Sequence, residues 1–230
     1  MRLRAKKHLE DRYQACADLV IDPPGRLRGA WSRGKPLHLE IGCGKGAFIL
    51  GMAQKNPDID FIAMERVKNV IISAMEKVRQ AELGNVRFLC CGAELLSEIF
   101  APGEIQRIYL NFSDPWPKKG HAKHRLTHPN FLRLYQTILS PRGKIWQKTD
   151  NLALFEFSLQ SYRDMNCLLE QLSYDLHDSD FPDNIVTEYE KRFSDLGQPI
   201  YRVEASFPAP SETPEPTDTA SFSGDSSALI

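Results

Sequence analysis

No apolar run approaches the ~20 residues that cross a bilayer, so neither a membrane span nor a membrane partner is expected. Cysteine is sparse and badly placed for structural use. Cys16, Cys43, Cys90, Cys91 and Cys167 are odd in number, include an adjacent pair and form no C-x-x-C. That argues against a disulfide framework and a structural zinc site. The opening residues, MRLRAKKHLEDRY, have no apolar stretch of the kind a secretory leader carries. A reducing cytoplasm is the expected compartment. Positive charge is in slight deficit, with 29 Lys and Arg against 30 Asp and Glu and a net charge of −1. There is no internal repeat.

The charge balance changes once it is located. Residues 207–230 hold Glu212, Glu215, Asp218 and Asp225 and no Lys or Arg, so the rest of the chain is net positive. Its cations cluster at Arg2, Arg4, Lys6, Lys7 and Arg12, and again at Lys118, Lys119, Lys123 and Arg125, with His121, His124 and His128 nearby. Clustering matters more for phosphate binding than the total does. For the amino-terminal cluster, solubilising surface charge is equally open. The histidines are flanked by lysines, which argues against a metal there.

A chain of 230 residues, 42% hydrophobic and 26% charged, has ample length for one core. Residues 1–36 are expected as a basic, turn-rich arm. From residue 37 short apolar runs (37–41, 59–64, 86–91, 106–112, 142–148) alternate with helical stretches (45–55, 67–82, 93–100, 130–139, 151–166). Two later strands, LLEQLSYDL and PIYRVEASF, flank a helical insert near TEYEKRFSDL. This alternation predicts an α/β fold, doubly wound and mostly parallel, over residues 37–206. The tail, 207–230, is too rich in Pro, Ser, Thr and acid to bury a core, and disorder is expected.

The first run ends in Glu40-Ile41-Gly42-Cys43-Gly44-Lys45-Gly46. Glycines permit a tight turn and let a ligand lie against bare backbone at a helix start. A P-loop is excluded, because the GK[ST] ending is missing. Gly42-x-Gly44-x-x-Ala47 satisfies the dinucleotide fingerprint, and Glu65 closes the second run where a carboxylate would grip a ribose diol. Glu40 argues for a different ligand. An acid beside the loop repels a pyrophosphate and suits the sulfonium and ammonium of S-adenosylmethionine (SAM), although a solvated strand-end acid is also open. E-x-G-x-G-x-G resembles the SAM-dependent methyltransferase superfamily.

The second motif is residues 110–122, LNFSDPWPKKGHA, after the fourth run. Pro115 and Pro117 lack backbone donors, so neither helix nor inner strand continues there. The result is a stiff loop where open α/β sheets place ligands. It offers one carboxylate (Asp114), a flat aromatic (Trp116) and two cations.

With both motifs in view, the chain resembles the bacterial tRNA (guanine-N7-)-methyltransferase family. Arg125-Leu126-Thr127, Lys148-Thr149-Asp150, Thr187-Glu188-Tyr189-Glu190 and Leu196-Gly197-Gln198-Pro199-Ile200-Tyr201 extend the likeness from about residue 2 to 206. The resemblance implies a Rossmann-like class I fold with a seven-stranded sheet and helices on both faces. It implies transfer of methyl from SAM to N7 of the variable-loop guanine (position 46) of tRNA. It places the glycines, Glu40, Glu65, Gly92 and Asp114 on the cofactor, with Asp114 also the active-site residue. Lys118, Asp150, Thr187, Glu188, Tyr189 and Glu190 match substrate-contacting positions. Lys119, Gly120, His121, Ala122, Lys123, His124 and Arg125 match a stretch expected to touch RNA. One position departs from the family: an Asn or Asp usually meets the adenine where Gly92 stands, so either Glu94 or a main-chain group must take that role. Monomer and homodimer are both open.

Guanine N7 has a free lone pair and no proton, so its attack on a methyl group needs no obligatory base. Alignment and electrostatics should carry the rate, with Asp114 positioning rather than accepting a proton. Guanine's N1–H and N2–H₂ donors suit a carboxylate, and Asp150, Glu188 and Glu190 are candidates. Capping the helix that starts at Asn151 is a second role open to Asp150. Trp116 and Tyr189 could each stack on a base or plug the core. Rival readings are another nucleobase (amino) methyltransferase, an NAD(P)-dependent oxidoreductase and an RNA-binding module without catalysis.

Overall fold

A computed structural model describes residues 6–22, 28–31, 34–179, 181 and 184–208. Arg2, Arg4 and the tail beyond residue 208 lie outside the described residues. Seven strands form one sheet: β1 (Leu37–Ile41), β2 (Asp60–Met64), β3 (Val86–Leu89), β4 (Ile105–Asn111), β5 (Leu139–Thr149), β6 (Leu168–Ser173) and β7 (Tyr201–Ser206). Their order is β3-β2-β1-β4-β5-β7-β6. β1 to β5 are parallel, and β7 runs antiparallel between β5 and β6. The order reverses between β1 and β4, so the crevice of a doubly wound sheet opens at their carboxyl ends.

The described α-helices are α1 (Leu9–Gln14), α2 (Ala47–Lys55), α3 (Lys68–Gln80), α4 (Leu96–Ile99), α5 (Pro129–Ile138), α6 (Leu152–Asp164) and α7 (Glu188–Ser194), with short 3-10 turns at Ala17–Leu19, Ala93–Leu95 and Lys119–His124. Two apolar cores lie on opposite faces of the sheet. Leu39 and Ile41 of β1 join residues of α4, α5 and α6 on one side. On the other, Phe61 and Ala63 of β2 meet α2 and α3. The period-2 alternation of the strands is what sends neighbouring residues to different cores.

The expected elements are present, with three differences of detail, the first being that the strand expected over LLEQLSYDL ends at Ser173. The 93–100 helix is a 3-10 turn, Ala93–Leu95, followed by the single-turn α4. β5 starts at Leu139 rather than 142, and its register with β4 shifts between Ile105 and Arg107. Pro141 has no donor for a regular ladder, so the strand bulges there before pairing resumes at Lys144.

The described part of the amino-terminal arm is docked on α3. Arg12 makes a two-pronged bond to Glu76, each arm 2.6 Å. The backbone N–H of Lys6 donates to Asn69, and its ammonium bonds Ser73. Lys68 pairs with Glu10 and lies 4.1 Å over the Tyr13 ring. Lys6 and Arg12 therefore serve packing, which neither phosphate binding nor simple surface charge anticipates.

Candidate active site

β1 delivers its last residues into a loop that only glycine fits easily. Gly42, Gly44 and Gly46 have φ of 81°, 55° and 79°, all in the left-handed region. A β-carbon on Gly46 would stand 2.5 Å from that of Ala74, so α3 also closes against the loop. The Glu65 carboxylate accepts from the backbone N–H of Gly44 at 3.3 Å and of Val67 at 3.0 Å. This bonding fixes it at the rim of a cleft of about 480 Å³. That volume is ample for a nucleoside-sized ligand. Gly42, Gly44, Glu65, Gly92, Asp114 and Trp116 all line the cleft.

Glu40 lies beneath the loop and is only 2% exposed. Its Oε1 accepts from Asn111 Nδ2 at 3.0 Å, while its Oε2 is buried without a partner. Burial raises its pKa to about 7, against the opposing pull of Asn111 and Lys148. A solvated strand-end acid is thus excluded. A buried carboxylate oxygen lacking a donor suits a ligand that brings positive charge, and so fits SAM rather than a pyrophosphate.

With its folded pKa raised, Glu40 favours the folded state most when protonated. That contribution is complete below its unfolded pKa and is lost as pH rises through about 7. A cationic ligand needs the ionised form. Affinity for S-adenosylhomocysteine, whose ammonium remains, should therefore rise by up to about tenfold per pH unit until about 7 and then flatten. Calorimetry on the native protein and on Glu40→Gln checks this, since the variant should lose the slope.

The loop after β4 is held in a strained shape. Phe112 and Trp116 have φ of 52° and 43°, a region costing non-glycine residues about 1–2 kcal/mol each. Arg125 offsets that from below. Its Nε donates to the Pro115 carbonyl at 2.9 Å and its Nη2 to that of Trp116 at 3.1 Å. Its guanidinium also stacks 4.3 Å over Phe157. Arg125 therefore braces the loop, whereas Lys118, Lys119, Gly120, His121, Lys123 and His124 are exposed. Residues Lys119–His124 form a 3-10 helix, in which Ala122 is partly covered. Trp116 borders the cleft beside the rings of His124 and His121, with centroids 5.1 and 5.7 Å away. It is not a core plug.

Asp114 is exposed in the cleft, and its carboxylate takes no hydrogen bond or ion pair from the described residues. Tyr189 stands beside it, feeling the charge of both Asp114 and Asp150. The Tyr189 hydroxyl donates to Asp150 Oδ2 at 3.3 Å. Its half-exposed ring packs between Phe112 and Phe193, with centroids 5.0 and 4.6 Å away. Asp150 does not cap α6. Asn151 does, accepting from the Leu154 N–H at 2.8 Å.

Thr187 and Glu190 face inward. They form a capping box at the start of α7, and Glu190 is fully buried. Lys148 Nζ binds Glu190 Oε2 at 2.6 Å, Asn184 Oδ1 at 2.9 Å and the Ile185 carbonyl at 3.1 Å. Asn184 and His177 meet the other Glu190 oxygen at 2.6 and 3.3 Å. Ile185 packs where a β-carbon on Gly51 would stand, 2.7 Å from its Cγ2, which accounts for a glycine inside α2. The Glu188 side chain lies outside the described residues. Lys148, Asn111 and Phe112 were not anticipated from sequence, although Lys148 sits inside the Lys148-Thr149-Asp150 motif. Thr187 and Glu190, expected as substrate contacts, have the T-x-x-E spacing of a capping box, the local signal that could have found this structural role.

Residues 34–203 match a family model described as "Putative methyltransferase". A tRNA (guanine-N(7)-)-methyltransferase of Bacillus subtilis (strain 168) is 47% identical over 211 residues, covering 90% of this chain and 99% of that protein. One from Listeria innocua is 48% identical over the same shares. Among solved structures, the 16S rRNA methyltransferase KamB superposes with a TM-score of 0.56 at 14% identity, covering 90% of this chain and 96% of that one. The KamB likeness concerns fold alone. Identity near one residue in two, sustained over nine-tenths of the chain, goes well beyond a shared sheet order: the chain belongs to the tRNA (guanine-N7-)-methyltransferase family.

Proposed function

We propose that this protein transfers a methyl group from SAM to N7 of a guanine in tRNA, and that the guanine is that of the variable loop, position 46. The observation that carries the reading is the place of Asp114. It lies between the cofactor cleft and the Tyr189–Asp150 pair, a carboxylate with no ion-pair partner among the described residues. When bound, SAM supplies an electrophilic methyl on a sulfonium. Guanine N7 has no proton to lose, so the chain need supply no general base. Asp114 instead favours the positive charge that passes to the purine ring, and holds the reacting groups in line. Asp150 accepts from the guanine N–H donors, and the Tyr189 ring offers a stacking face. Thr187, Glu190 and Lys148 hold that face in place from beneath.

Lys118, Lys119 and Lys123 supply phosphate contacts along the exposed turn, with no metal required. An unpaired loop base is the easier target, because extracting a paired one costs a few kcal/mol. The site assignment is tested with an unmodified tRNA transcript and a copy carrying adenine in place of the variable-loop guanine. Methyl incorporation should disappear in the second. Persistent incorporation would move the target elsewhere in the tRNA.

A further inference from the structure

Gly92 follows β3 at the edge of the cleft, and its backbone gives no reason for a glycine. Its φ of −93° and ψ of 159° are extended geometry that any residue adopts. The space a side chain would take is occupied from two residues away. A β-carbon on Gly92 would collide with both carboxylate oxygens of Glu94, which folds back over it. Glu94 belongs to the 3-10 turn Ala93–Leu95, lines the cleft, and makes no hydrogen bond or ion pair with the described residues.

Its position has a chemical meaning. β2 and β3 are neighbours in register, Met64 opposite Leu89, so Glu65 and Glu94 follow adjacent strand ends. With the ribose gripped at Glu65, the nucleobase falls on the β3 side, where Ala93, Leu126 and Phe131 give an apolar lining. An adenine placed there presents its exocyclic amine, a donor, and needs an acceptor. We propose that Glu94, reaching back over Gly92, is that acceptor, and that residue 92 is glycine to leave it room. A main-chain group is then not required for the amine. The inference rests on SAM being the cofactor.

Calorimetry tests it with S-adenosylhomocysteine and its inosine counterpart, in which the amine is replaced by oxygen. The native protein should prefer the adenine compound by on the order of tenfold, as for a charge-assisted hydrogen bond. Glu94→Gln should lose that preference, because an amide can face either group. Gly92→Ala should melt at the native temperature yet lose the preference too, since the β-carbon displaces only a flexible carboxylate. The double variant Gly92→Asp with Glu94→Ala should restore it by moving the acceptor to residue 92. A preference undiminished in Glu94→Gln would overturn the assignment. Failure of the native protein to bind either compound would instead count against SAM as cofactor.

Discussion

Lys148→Met should lower the stability of the protein by about 3–5 kcal/mol, the usual cost of orphaning one member of a buried ion pair. The methionine matches the length of the lysine stem and removes three donors at once. Glu190, with no exposed surface, then keeps, among the described residues, only Asn184, His177 and its own capping box. At roughly 2–4 °C per kcal/mol for a chain of this size, the melting temperature should fall by about 10 °C. Burial alone works against the Lys148 charge, lowering its pKa, and Glu190 is the main opposing influence. The pair is therefore mutually dependent.

Adding Glu190→Leu to Lys148→Met removes the orphaned charge and should recover most of the loss, as replacement of buried pairs by apolar residues often does. The segment bearing Tyr189 would still lack its three-point attachment, so KM for tRNA should stay raised in the double variant. Circular dichroism melts and steady-state kinetics separate the two effects. A single variant that melts within about a degree of the native protein would show that Lys148 does not hold this segment.

Asp114→Asn should lower kcat on the order of a hundredfold while KM for tRNA changes only a few-fold. The amide keeps the shape and a lone pair, so alignment survives and only the charge is lost. Because Asp114 is exposed and has no hydrogen bond or ion pair among the described residues, the substitution orphans none of them and stability should be unaffected. Single-turnover rates with enzyme in excess over tRNA and SAM saturating isolate the chemical step. An unchanged rate would reduce Asp114 to a shaping element of the loop. A fall that follows KM alone would make it a binding group.

Much of this site was legible in the sequence because the signals were local. The glycine run, Glu40 before it and Glu65 about twenty residues later depend on strand-end geometry that spacing conveys. The prolines at 115 and 117 announced a stiff loop in the same way. Strand and helix positions followed from periodicity, and failed in detail where Pro141 and the short 3-10 turn interrupt it and where β6 stops at Ser173.

What stayed hidden depends on pairings across the fold. Lys148 and Glu190 are 42 residues apart in sequence and meet only because β5 and α7 pack together. Arg125 sits in a row of cations suited to RNA, and nothing in that row distinguishes the one turned under the loop. Asp150 and Asn151 are adjacent and both suit an N-cap. Only the structure shows that Asn151 takes the cap and leaves Asp150 for Tyr189. Glu94 is the intermediate case. The glycine at 92 raised the question, and the side-chain geometry supplied the answer proposed for it.

The central claim is that a carboxylate-lined cleft and a braced, basic turn together direct methyl transfer to guanine N7 in tRNA. Its most direct test is incubation of the protein with isotopically labelled SAM and unmodified tRNA, complete digestion to nucleosides, and identification of the labelled product by mass spectrometry. The expected product is 7-methylguanosine alone. Label in 6-methyladenosine or in an amino-methylated guanosine, or no labelled nucleoside at all, would contradict it.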